Sequence, residues 1–176
     1  MVEKAAAFAA KSHEGTYRKG SKIPYIVHPL ETAVIVTVMA ADEELICAAL
    51  LHDVVEDAGV TEEELKKEFG LRVAGLVMEE TEDKTKSWKE RKCATLHHLE
   101  HASMDCKKLV LADKLSNLRS TARDYYLLGD EIWERFNEKK KSEHAWYYKG
   151  IGERLCGLET YPAYQEYTTL CKMVFG

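Results

Sequence analysis

The chain has 176 residues, 45% of them hydrophobic and 31% charged, with a net charge of −5, which is enough for one domain with a core able to fold alone. Its acidic balance excludes general nucleic-acid binding, which needs a basic surface, but leaves room for a small anionic ligand in a locally basic pocket. Glycine and proline are scarce, at 10 and 3 residues, against abundant Ala, Leu, Glu and Lys, and this favours an all-α fold.

The opening helix is predicted over residues 2–13. Its apolar stretch Ala5–Ala10 is too short for a signal peptide and runs straight into Lys11 and His13. A loop follows, marked by Gly15, Gly20 and Pro24, with Arg18, Lys19 and Lys22 interleaved with Tyr17 and Tyr25. Such a loop is either a solvated turn or a lip that binds an anion and a base, with arginine stacking on a ring or clamping phosphate.

Pro29 suits the first turn of a helix, which puts His28 at that helix's entrance. The β-branched stretch from Thr32 to Met39 is read as a buried helix by its surroundings. The longest apolar run, Ala33 to Ala41, is about half of a membrane span, so no membrane association is expected. Asp42 can cap the next helix, predicted to end near Gly59.

Thr61-Glu62-Glu63-Glu64 and Ser87-Trp88-Lys89-Glu90 both have the capping-box pattern, and Gly70 stops the first of the two helices. Leu71 to Glu80 is another predicted helix, and Glu82 to Ser87 a charged loop. Lys89, Arg91 and Lys92 read as a solvated face, with an anionic ligand within reach of some of them as the alternative, and His97, His98 and His101 read as a surface helix with no acidic partners converging on them. Trp133, Phe136, Trp146, Tyr147 and Tyr148 are placed in two further helices as core aromatics, and a last helix follows Pro162. The five cysteines form no C-x-x-C pair, which argues against a disulfide framework or a zinc–thiolate site. They read as reduced thiols of a cytoplasmic protein.

Two stretches carry more than packing. In Ala48–Asp57 an apolar run delivers His52-Asp53, and one turn later Glu56-Asp57. On a continuous helix Glu56 would lie beside His52 and Asp57 beside Asp53, and buried charges of this kind need partners. In Leu109–Arg119, Asp113 falls inside an apolar helix with Asn117 four residues on. A core-facing Asp113 is served either by an ion pair with Lys114 or Arg119 or by a metal. His28, His52, Asp53 and Asp113 together make a mixed nitrogen and oxygen set suited to manganese, iron or zinc. Such an ion lowers the pKa of bound water and polarises a phosphoryl oxygen, and Glu56 and Asp57 are in position to move the proton.

These residues resemble the HD phosphohydrolase superfamily, whose signature is H…HD…D. Arg18-Lys19-Gly20, Pro24–Pro29, Ala48–Asp57 and Leu111–Arg119 are similar to the hydrolase domain of RelA/SpoT homologues, over roughly residues 5–125. Thr81–Thr85 and Glu90-Arg91-Lys92 resemble the stand-alone small alarmone hydrolases. The resemblance implies a single HD-domain helical bundle of about eight to ten helices over residues 1–176, without a synthetase domain. It implies a (p)ppGpp 3′-pyrophosphohydrolase using one Mn2+, with Fe2+ or Zn2+ as other candidates. His28, His52, Asp53 and Asp113 would bind the metal, and Glu56 and Asp57 would be the catalytic pair. Arg18, Lys19, Tyr25, Lys114 and Asn117 would contact a small anionic nucleotide. Thr16, Ala58 and Ser116 depart from the family pattern without touching a ligand or the acidic pair. Two alternatives stay open: a phosphatase acting on another ribose-phosphorylated nucleotide such as NADPH, and a nucleotide-binding regulatory module without turnover.

Overall fold

Side-chain caps start several helices where the sequence places them. In the computed structural model, which covers residues 1–176, Asp42 accepts the N–H groups of Glu44 and Leu45 and so opens α3 (Glu43–Leu51). Thr61 and Ser87 each close a full capping box, at α5 (Glu62–Phe69) and α7 (Trp88–Leu99). Each cap satisfies donors that a helix start leaves orphaned, at a gain of about 1 kcal/mol. The remaining helices are α1 (Val2–Ser12), α2 (Val27–Thr37), α4 (Val54–Ala58), α6 (Leu71–Glu80), α8 (Met104–Leu128), α9 (Lys141–Arg154) and α10 (Pro162–Phe175), with a 3-10 segment at Gly129–Arg135. The one β feature is an isolated antiparallel bridge between Tyr17 and Pro24. The fold is therefore all-α, as expected.

Helix α3 is buried nearly all round, from Leu45 through Leu51, and packs against α1, α2, α6 and α8. Helix α8, of 25 residues, spans about 37 Å and carries a buried stretch from Leu109 to Leu118 past α2 and α3. One continuous apolar core joins these elements to α9 and α10. No helix is long and apolar enough to cross a membrane. Helix α2 forms despite its β-branched content, but it is buried on one side only, with Val34 and Val38 exposed.

The expected continuous helix from Asp42 to Gly59 is broken. Helix α3 ends at Leu51, and α4 starts at Val54. His52 and Asp53 form the joint, and Gly59, at φ +70°, closes α4 in the left-handed conformation that glycine adopts without strain. Glu56 is thereby released from stacking on His52, and its Oε1 accepts the Glu82 N–H at 2.5 Å, at the start of the α6–α7 loop. The aromatic residues also depart from two plain helices, since Trp133 sits in the 3-10 segment and Phe136 just beyond it.

Candidate metal centre and its cavity

Three neighbouring elements aim their polar side chains at one point. Helix α2 supplies His28, the α3–α4 joint supplies His52 and Asp53, and the middle of α8 supplies Asp113. His28, His52 and Asp113 are each no more than 3% exposed in a core otherwise apolar. Their ligand atoms all lie within 4.8 Å of one another. The His28 Nε2 is 3.2 Å from the His52 Nε2 and 3.0 Å from the Asp113 Oδ1. The Asp53 Oδ2 approaches both imidazoles, at 3.0 Å from His52 and 3.5 Å from His28.

The tautomers suit a cation. The His52 Nδ1 lies 2.8 Å from the Ala49 carbonyl, which only accepts, so the proton is on Nδ1 and the Nε2 lone pair faces the centre. The His28 Nδ1 is 2.8 Å from the Ser116 hydroxyl oxygen, and that hydroxyl donates to the Glu31 Oε2 at 2.7 Å. With its own proton committed to Glu31, Ser116 accepts from His28, and the His28 Nε2 is also left as a lone pair. Two such nitrogens at 3.2 Å need a positive charge between them, which is a second proton on His52 without a cation and the cation itself when one is bound. Metal–nitrogen bonds of about 2.1 Å, meeting at somewhat more than a right angle, span that distance. The donor set therefore fits a divalent cation, with Ser116, Glu31 and the Ala49 carbonyl orienting the imidazoles from behind.

The surrounding charges agree. Burial alone would keep His52 neutral, but the Asp53 and Asp113 carboxylates outweigh it and push the imidazole well above its ordinary value. Burial holds His28 below its ordinary value, against the pull of Asp113. Asp113 also pairs with the Lys114 ammonium and accepts the Asn117 amide at 2.6 Å. The Asn117 carbonyl in turn accepts the Arg18 guanidinium at 2.7 Å. The Tyr25 hydroxyl donates to the Asp53 Oδ2 at 2.7 Å, and the Arg18 guanidinium lies 5.6 Å from the Tyr25 ring centre.

A cavity of about 880 Å³ opens beside this centre, of the size that binds a nucleotide. His28, Glu56 and Asp57 line it, as do Arg18, Lys19, Tyr25 and Asn117. Its wall carries seven lysines and arginines against four acidic side chains, which makes it locally basic on an acidic protein. Burial raises the Glu56 carboxyl above an ordinary glutamate, against the Glu82 N–H that lowers it. The Lys84 ammonium holds the Asp57 Oδ1 at 2.6 Å and the Glu56 carbonyl at 2.7 Å, so the pair is anchored from the α6–α7 loop.

Lys114 stands apart from the other expected substrate contacts, because its ammonium is taken up by Asp113 and does not line the cavity. Lys22 does not line it either. Arg91 and Lys92, expected as a solvated face, are instead mostly buried against Glu82 and form part of the wall. Arg135, Phe136, Asn137 and Tyr148 complete it from the C-terminal third. Ser116, Glu31, Glu82 and these wall residues were not legible from pattern. The one signal for Arg91 and Lys92 was the resemblance of Glu90-Arg91-Lys92 to the stand-alone small alarmone hydrolases. His13 packs against Tyr25 at 4.9 Å, and His144 against Trp133 at 5.0 Å, both outside the cavity lining.

Comparison with known proteins agrees with this geometry. The model of the HD domain family matches residues 5–140. The guanosine-3′,5′-bis(diphosphate) 3′-pyrophosphohydrolase MESH1 of Xenopus tropicalis is 44% identical over 126 residues, covering 70% of each chain. Its Homo sapiens counterpart is 43% identical over 122 residues, 68% of each. Among solved structures, a Listeria monocytogenes EGD-e protein superposes with a TM-score of 0.78 at 36% identity, over 84% of this chain and 98% of that one. A metazoan ortholog of SpoT, described as hydrolysing ppGpp, superposes with a TM-score of 0.81 at 29% identity, over 97% and 93%.

Proposed function

This chain belongs to the HD-domain family, and from that premise we propose that it is a manganese-dependent (p)ppGpp 3′-pyrophosphohydrolase, with residues 1–176 acting as one HD-type domain. The observation that carries the reading is adjacency: the His28, His52, Asp53 and Asp113 cluster meets, at His28, a cavity lined by the Glu56–Asp57 pair and an excess of cationic side chains. The named activity of relatives above 40% identity supports it.

In the proposed reaction, water displaces the 3′-pyrophosphate, giving GDP or GTP and pyrophosphate. His28, His52, Asp53 and Asp113 would hold a divalent cation, which would supply Lewis acidity and lower the pKa of water. The mixed imidazole and carboxylate set suits manganese, with iron or zinc as the other candidates. Glu56 receives or returns the proton, and burial raises its proton affinity above that of an ordinary glutamate. Asp57, held by Lys84, keeps the α4 end of the pair in place. Arg18 and Lys19 hold the base and phosphates, and Asn117 ties the Arg18 guanidinium to the Asp113 side of the centre. Tyr25 steadies Asp53 from the same wall.

The test is a paired assay on metal-stripped protein with manganese restored. Pyrophosphate released from ppGpp and abolished by chelation is the expected result. Phosphate released from NADPH alone would keep the centre and replace the substrate. No turnover of either, with manganese bound, would overturn the enzymatic reading in favour of a binding module.

A further inference from the structure

At the N-terminal end of α8, outside the cavity lining, three other ligand-type side chains meet. Glu79 comes from the last turn of α6, His98 from α7 and Cys106 from the first turn of α8. Their ligand atoms all lie within 4.8 Å of one another. The Cys106 thiol is fully buried, while the His98 and Glu79 side chains are partly exposed. We propose that Glu79, His98 and Cys106 form a second metal site, separate from the first, that takes a thiophilic dication of the zinc class and clips α6, α7 and α8 together.

The Cys106 thiol can donate either to the His98 Nε2 or to Glu79, whereas a single cation would engage all three side chains at once. The same atom, the His98 Nε2, faces the Cys106 Sγ at 3.7 Å and the Glu79 Oε2 at 3.5 Å. One ring nitrogen carries at most one proton and can direct it to one partner. A separation of 3.5 Å is also beyond the usual N–H···O range of about 2.7–3.2 Å. A tetrahedral zinc ion, with bonds of about 2.3 Å to sulfur and 2.0–2.2 Å to nitrogen and oxygen, sets edges of about 3.6 Å for N···S and 3.4 Å for N···O. The observed edges exceed these by about 0.1 Å.

The donor types decide the ion. A thiolate with an imidazole favours zinc over manganese or magnesium, whereas the first centre contains no sulfur. Three protein ligands leave the fourth position to water on the exposed side. Cys106 would bind such a cation as the thiolate, so loading releases the thiol proton. The cysteine spacing in the sequence argued against zinc because no two cysteines are neighbours. The fold supplies instead one cysteine, one histidine and one glutamate from three helices.

The test is a cobalt(II) titration of the full chain, read as the near-ultraviolet thiolate-to-cobalt charge-transfer band. The sulfur-free first centre cannot produce that band, so the outcome is independent of the proposed hydrolase activity. The expected result is a band that saturates, is displaced by zinc, and is abolished in C106S. His98→Gln and Glu79→Gln change partly exposed side chains and leave the core intact, and each should weaken cobalt binding at least tenfold. A C93S/C156S variant, lacking the two exposed thiols, should keep the band. The proposal is overturned if saturating cobalt gives no band. It is equally overturned if the band survives His98→Gln at unchanged affinity or disappears in C93S/C156S.

Discussion

Replacing Ser116 by alanine removes a hydroxyl that stands behind His28 at the cavity wall, and the first centre should feel it strongly. Ser116 is 1% exposed and His28 2%, so no water replaces the lost partner. The His28 Nδ1–H would be left unsatisfied, and Glu31 would lose the 2.7 Å hydroxyl donor that fixes the direction of the relay. Orphaning a buried donor costs about 1–3 kcal/mol. If the cost falls on the metal-bound state, 1.4 kcal/mol per decade makes it about 5- to 150-fold in affinity, and partners behind metal ligands are typically worth 10–100-fold. Ser116→Ala should therefore weaken manganese binding by about 10–100-fold in equilibrium dialysis, with much of the turnover restored at saturating metal. Any share paid in folding appears as a lower Tm, by about 2–4 °C per kcal/mol for a chain of this size. Manganese affinity within twofold of the wild type, with Tm unchanged, would show that packing alone orients His28 and would refute the relay.

Asp113→Ala should abolish manganese binding and turnover together, because it removes a ligand and leaves Lys114 buried without its partner; dialysis and the pyrophosphate assay read the two effects separately. Glu56→Gln should spare metal binding and slow turnover by about 10²–10⁴, and the acid limb of the wild-type kcat/KM profile, displaced upward because burial raises Glu56, should vanish in the variant. Turnover unchanged in Glu56→Gln would remove this residue from the mechanism. Glu80 has both carboxylate oxygens buried without a partner, and burial, reinforced by Asp113, pushes its carboxyl from 4.5 to about 8. The folded chain thus keeps a proton that the unfolded chain sheds, so this contribution is full below about pH 4.5 and is lost as pH rises toward 8, with a ceiling of about 5 kcal/mol. Thermal melts between pH 5 and 8 should show that decline in the wild type and a flatter curve in Glu80→Gln; parallel curves would mean that Glu80 is ionised and compensated.

The sequence by itself determined most of the helix boundaries and marked the His28, His52, Asp53 and Asp113 side chains that the fold brings together. Local rules sufficed for both. Asp42, Thr61 and Ser87 cap by contacts within three residues, and Gly59 and Gly70 stop helices through their own backbone freedom. Asp113 stood out because a carboxylate inside an apolar helix must have a partner. What the sequence could not reach were relations between elements far apart along the chain. The break at His52-Asp53 is invisible to periodicity, since both residues keep backbone angles in the right-handed helical region and only the hydrogen-bond ladder is interrupted. The same holds for Glu31 behind Ser116, for Glu82 drawing Arg91 and Lys92 into the cavity wall, and for Glu79 and Cys106 closing on His98. A charged residue on a helix looks solvated until packing brings its partner within reach, and that choice belongs to tertiary structure, where burial makes an unpaired charge costly.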